Sequence, residues 1–195
     1  MKKLDGINIG FALTGSHCTI QEVLPEIRHL IEQGAKIFPI ASVSIQETST
    51  RFNQAEALLQ ELEEMTGNPV LTSIVEVEPI GPKGFFHVLV VSPCTGNTLA
   101  KMANGITDGP VLMAAKAHLR NQKPLVIGIS TNDGLGANAK NWATLINTKN
   151  IYMIPFGQDD PINKVNSLKS KMELTLDTIL AALAGKQLQP LLVSY

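Results

Sequence analysis

Four short polar segments each follow directly on an apolar run, and they are the residues best suited to chemistry. Thr14-Gly15-Ser16 follows residues 7–13, Ser42-Val43-Ser44 follows 35–40, Ser92-Pro93-Cys94-Thr95-Gly96-Asn97-Thr98 follows 87–91, and Ser130-Thr131-Asn132-Asp133-Gly134 follows 124–129. Hydroxyls, amides and glycines at a helix start present unpaired backbone N–H groups and the positive end of the helix dipole, which together favour an anion, a phosphate above all. Any one of these loops also reads as a plain helix cap, because Ser, Thr, Asn and Asp are ordinary N-cap residues. Four in series point to a bound phosphate. Asn132-Asp133-Gly134 reads both as a carboxylate-holding loop and as an ordinary turn.

Other chemistries find less support. Gly10 and Gly15 do not complete a G-x-G-x-x-G fingerprint, which favours a mononucleotide over a dinucleotide on this chain. Cys18 and Cys94 stand 76 positions apart with no CxxC or Cys/His spacing, which excludes a zinc site and a disulfide framework. Cys94 has no base placed beside it and reads as a small packing residue, as does Cys18 at the start of the first helix. His87 reads as structural, and His29 and His118 as solvent-facing residues on helices. No acid or base is assigned a catalytic role.

The loops need a frame, and the apolar runs supply one. Runs at 7–13, 35–40, 87–91, 124–129 and 151–154 are continuously apolar rather than alternating, the mark of strands covered on both faces. Helical stretches are expected at 19–33, stopped by Gly34, at 53–65, 95–104, 108–121 and 135–147, and Pro25 is expected to kink the first or delay its start. Val165, Leu168, Met172, Leu176, Ile179 and Leu183 recur at intervals of three and four, which predicts a last helix stopped by Gly185. Residues 70–86 read as an irregular crossover with a short strand at 71–75. The expectation is one domain over residues 1–195: a Rossmann-like or flavodoxin-like doubly wound parallel sheet in three α/β/α layers, with ligands at the carboxyl ends of the strands.

Composition narrows the partners. With 16 basic and 17 acidic side chains the formal charge is -1, so no electrostatic footprint for nucleic acid or an anionic membrane is present. No run approaches the roughly 20 apolar residues of a membrane span, and the first residues read as a strand rather than a signal peptide. A small molecule, another protein and a cytosolic location are expected.

Thr14-Gly15-Ser16 and the stretch from Pro93 through Thr98 to Lys101, Gly105 and Asp108 resemble the homo-oligomeric flavin-containing cysteine decarboxylases. The resemblance covers most of residues 7–155 and is most specific over 93–108. It implies FMN, with Gly15, Ser16, Ser42, Asn97 and Thr98 at the phosphate and Ser92, Pro93 and Thr95 completing the cofactor loop. The chain departs from that family where Pro79-Ile80 stands in place of a His-Ile pair, where 128–136 replaces the substrate clasp, and where Cys94 and Gly96 replace alanines. Residues 92–98, 130–138 and 154–161 together resemble an oxidoreductase-subunit branch of the flavoproteins, and it is this resemblance that implies such a subunit. Such a subunit holds a dicarboxylate with Ser130, Thr131 and Asn132, works beside a partner subunit carrying NADP, and forms a homo-oligomer. A flavin-dependent decarboxylase and a non-catalytic binding subunit are the alternatives.

Overall fold

The computed structural model describes residues 2–195. In chain order the first half reads β1 (Asn8–Leu13), α1 (His17–Glu32), β2 (Lys36–Ala41), α2 (Val43–Glu47), α3 (Ala55–Thr66), α4 (Ile74–Val77), α5 (Ile80–Lys83) and β3 (Val88–Cys94). It continues with α6 (Gly96–Ala103), α7 (Pro110–Arg120), β4 (Leu125–Thr131), α8 (Ala139–Ile146), β5 (Ile151–Met153), β6 (Phe156–Gly157), β7 (Leu168–Ser170) and α9 (Thr175–Leu183). The parallel strands stand in the order β2-β1-β3-β4-β5, the flavodoxin-like arrangement, so the chain reverses direction across the sheet between β1 and β3.

Strand pleating divides the core in two. Ile9, Phe11, Val88 and Val90 face α1, α3 and α9, whereas Leu89, Val91, Leu125 and Ile127 face α6, α7 and α8. Helix α1 is positioned by Ile20, Val23, Leu24, Ile27 and Leu30, whose spacing makes one buried stripe, and it spans His17–Glu32 with Pro25 inside it, so its start is not delayed past the proline. Among the described residues no helix is long and apolar enough to cross a membrane.

The structure corrects the sequence reading in several places. Residues 165–183 are not one helix: Val165 is exposed, Leu168–Ser170 forms strand β7, and α-helix begins only at Thr175, after a 3-10 turn at Met172–Leu174. β7 pairs antiparallel with the end of β4, and β6 pairs antiparallel with β7, an extension beyond the parallel sheet. Of the strand expected at 71–75, one bridge between Leu71 and Ile40 exists, and Ile74–Val77 is helical because Ser73 and Glu76 form a capping box. Helix α8 starts at Ala139 rather than 135, since Asp133 accepts from the Ala137 N–H at 3.0 Å and holds the preceding residues as a loop.

His118 is buried rather than solvent-facing, with Nε2 2.9 Å from the Pro124 carbonyl oxygen. Burial pushes its imidazole from 6.5 down to about 4; the Pro124 carbonyl opposes the shift and Lys123 adds to it. Between those values the unfolded chain takes up a proton that the folded chain refuses, so stability is full above pH 6.5 and falls as pH drops toward 4. The expected slope is about 1.4 kcal/mol per pH unit. Thermal melts over that range should show His118→Gln, whose amide still donates to Pro124, flattening the acid limb.

Candidate functional site

The loops converge on two adjoining clefts at the carboxyl ends of the parallel strands. The first, of about 310 Å³, lies at the switch point between β1 and β3 and is floored by Thr14, Gly15, Ser42, Thr95, Asn97 and Thr98. The second, of about 390 Å³, lies toward β4 and is bounded by Ser16, Thr19, Ser130, Thr131 and Asn132. Gly15 and Thr95 border both.

Thr14 ties the two inner loops together. Its N–H and hydroxyl donate to the Pro93 carbonyl at 3.2 and 2.7 Å, and its Oγ1 accepts from the Thr95 N–H at 2.9 Å. Thr95 then caps α6, accepting from the Thr98 N–H at 3.2 Å, which leaves the Asn97 side chain exposed at the helix start. Gly15 leaves open a space that a Cβ would fill against the Ser44 side chain. Gly96 is required next door, where a Cβ would stand 2.5 Å from Asn138 Nδ2 and 2.6 Å from Thr131 Oγ1.

The electrostatics of the first cleft suit a phosphate held by neutral donors. Ser42 borders the cleft as the N-cap of α2, and its Oγ is buried without a hydrogen-bond partner. An unpaired buried hydroxyl costs about 1–3 kcal/mol. Lys101, which borders this cleft, is engaged with Asp108 at 2.6 Å, and that hydrogen bond holds the Asp108 carboxyl below the usual carboxylate range. Behind Ser44, His17 is set between Ser44 Oγ at 3.5 Å and Asn53 Oδ1 at 3.3 Å. Pro110, Val111 and Leu112 form an apolar wall, so the cleft combines an anion cradle with a surface for a ring.

Not every residue expected at the cofactor lines a cleft. Gly15, Ser42, Thr95, Asn97 and Thr98 line the first. Ser16 faces the second, its hydroxyl 2.7 Å from Ser130 Oγ, and Thr19 Oγ1 meets the same Ser130 at 2.8 Å. Ser92 and Pro93 reach neither cleft: Ser92 is buried with its hydroxyl donating to Met172 Sδ at 3.3 Å, and Pro93 acts through its carbonyl on Thr14. Cys94 is wholly buried in the apolar cluster on the α7 side, and burial pushes its thiol well up, which removes it as a nucleophile.

Ser130, Thr131 and Asn132 line the second cleft together, joined by residues that the sequence reading missed: Glu22, Asp159, Lys164 and Lys169. β7 carries Lys169 directly opposite Ser130.

A family model described as Flavoprotein matches residues 1–185. The B subunit of dipicolinate synthase from Bacillus subtilis (strain 168) is 50% identical over 193 residues, 99% of this chain and 96% of the relative. The crystal structure of the corresponding dipicolinate synthase B chain from Bacillus halodurans superposes with a TM-score of 0.90 at 50% identity, over 98% of each chain. That of the FMN-dependent cysteine decarboxylase SpaF shares the fold, with a TM-score of 0.65 at 20% identity over 93% of this chain and 99% of its own.

Proposed function

The chain belongs to the flavoprotein family, and from that membership we propose that it binds FMN in the first cleft and serves as the B subunit of a dipicolinate synthase. With an A subunit carrying NADP, it oxidises a dihydrodipicolinate-type precursor to pyridine-2,6-dicarboxylate in the mother-cell cytosol of a spore former. The observation that carries the cofactor assignment is the cleft of neutral donors at the switch point, where the α6 N-terminus and the exposed Asn97 stand beside an apolar wall. The residues present fit the group: Gly15 leaves room, Ser42, Asn97 and Thr98 supply donors, and Pro110 to Leu112 offer an apolar wall.

When bound, FMN supplies a two-electron acceptor or donor. The chain's own residues bind and orient. Ser16 and Thr19 hold the Ser130 hydroxyl in one place, and Gly96 lets the β4 loop approach the cofactor loop, so a ligand at Ser130, Thr131 and Asn132 sits beside the first cleft. Conversion of the dihydro ring to the aromatic one removes a hydride and a proton; the hydride leaves with the acceptor and the proton passes to solvent. Homo-oligomeric assembly is supported by exposed Val43 at the first cleft and by exposed Ile106 in the apolar groove that shares Leu112 with it. Flavin-dependent decarboxylation is the weaker reading, because Pro79 stands where the resemblance expects a histidine.

Removing the Ser42 hydroxyl separates folding from binding. Ser42→Ala should raise stability of the FMN-free chain by about 1 kcal/mol, since an unpaired buried group is lost. It should weaken FMN binding about tenfold, the worth of one hydrogen bond to a charged group. Thermal melts and a flavin fluorescence titration read the two effects. The function itself is tested by reconstitution with the A subunit, precursor and NADP, following dipicolinate formation. Full rates from the A subunit alone would overturn the assignment.

A further inference from the structure

We propose that Lys169 is the carboxylate anchor of the second cleft, and that Glu22 occupies it in the ligand-free chain as a stand-in for the substrate carboxylate. The proposal rests on the dicarboxylate reading above. It starts from register: Lys169 and Ser130 are direct partners across the antiparallel β4–β7 pair, so their side chains leave the same face of the sheet, and both border the cleft. The Ser130 hydroxyl is fixed by Ser16 and Thr19, so the cleft presents an ordered hydroxyl and a cation side by side.

Lys169 is also the better held of the two lysines there. Its ammonium lies 2.8 Å from Glu22 Oε1 and its side chain is 21% exposed, whereas Lys164 meets Asp159 at 3.7 Å with 52% exposure. The Tyr195 ring stands 5.6 Å from the Lys169 ammonium and adds to its orientation. Glu22 is the freer member of its pair, at 47% exposure. A substrate carboxylate that takes Lys169 displaces an acid that water can solvate, so the exchange costs little. The cleft balances Lys164 and Lys169 against Glu22 and Asp159, and once Glu22 swings away the Lys169 charge is free to pair with one carboxylate of the ligand.

The sign of two substitutions distinguishes an anchor from a structural ion pair. If the pair serves the fold, Lys169→Met and Glu22→Gln damage the protein alike. If Lys169 is the anchor, Lys169→Met weakens the ligand and Glu22→Gln, which removes the competitor, tightens it. The test is calorimetric titration of pyridine-2,6-dicarboxylate into the FMN-loaded chain assembled with the A subunit, with melting temperatures recorded for each variant. Lys169→Met should raise Kd at least about tenfold, Glu22→Gln should lower it about threefold, and Lys169→Arg should keep part of the affinity. Equal Kd values in wild type and Lys169→Met, or weakening by both substitutions, overturns the proposal. A wild-type assembly that binds no dicarboxylate is a different result, and it overturns the substrate reading together with the anchor.

Discussion

Gly15→Val should abolish measurable FMN binding, a loss of at least about a hundredfold or roughly 2.7 kcal/mol, while the chain still folds. Gly15 ends the β1 loop between the two clefts, and its missing side chain is the space in question: a Cβ there runs into Ser44, which borders the first cleft. The two methyls of valine project further into the same space. The backbone itself tolerates the change, because Gly15 is absent from the positive-φ glycines. Local crowding at this partly exposed position costs about 1 kcal/mol, which moves the melting temperature of a chain this size by about 2–4 °C. Fluorescence titration with FMN, with circular dichroism as the folding control, reads both numbers. Gly15→Ala should fall between, because the small Ser44 side chain can shift by one rotamer. Unaltered FMN affinity in Gly15→Val would place the phosphate elsewhere.

Phe86→Ala should lower stability by about 3–5 kcal/mol. Phe86 is 1% exposed and packs against Phe38 and Phe85, with ring centroids 5.7 and 5.5 Å away. It also lies over Gly10 of β1, where a Cβ would stand 2.5 Å from its ring. That contact makes a second expectation. Gly10→Ala is destabilising in the wild-type background because the rigid ring cannot withdraw, and it should be less so beside Phe86→Ala, where the added methyl enters the void. A coupling of about 1 kcal/mol or more is expected from a double-mutant cycle in urea. Strict additivity would mean that Gly10 is not there to admit the ring.

The frame was legible because its signals are local and redundant. Five apolar runs without alternation predict a sheet covered on both faces, and four of them lead into a polar loop, so position alone picks out Thr14-Gly15, Ser42, Thr95 to Thr98 and Ser130 to Asn132. Gly10, read only as a glycine inside a strand, proves to be a close approach of an aromatic ring. What escaped was set by tertiary partners. Strands β6 and β7 have two and three residues, too few for a period, and the apolar residues of 165–183 fall at helical intervals by coincidence. The end of β4 decides the matter by offering Ser130 and Thr131 as an unpaired edge, and Lys169 arrives in the cleft with that pairing. Ser92 and Pro93 read as part of the cofactor loop, but the Thr14 staple uses the Pro93 carbonyl and turns Ser92 toward Met172. His118 reads as a solvent-facing helix residue, yet α7 is buried on most of its circumference.

The most direct measurement is a titration of the purified chain with FMN, and in parallel with riboflavin, followed by visible absorption and by quenching of flavin fluorescence. A phosphate cradle at Gly15, Ser42, Asn97 and Thr98 predicts saturable binding of one FMN per chain. It also predicts riboflavin bound at least about tenfold more weakly, because that ligand lacks the group the donors hold. A chain that stays colourless and leaves FMN fluorescence unchanged, alone and with the A subunit present, would contradict it.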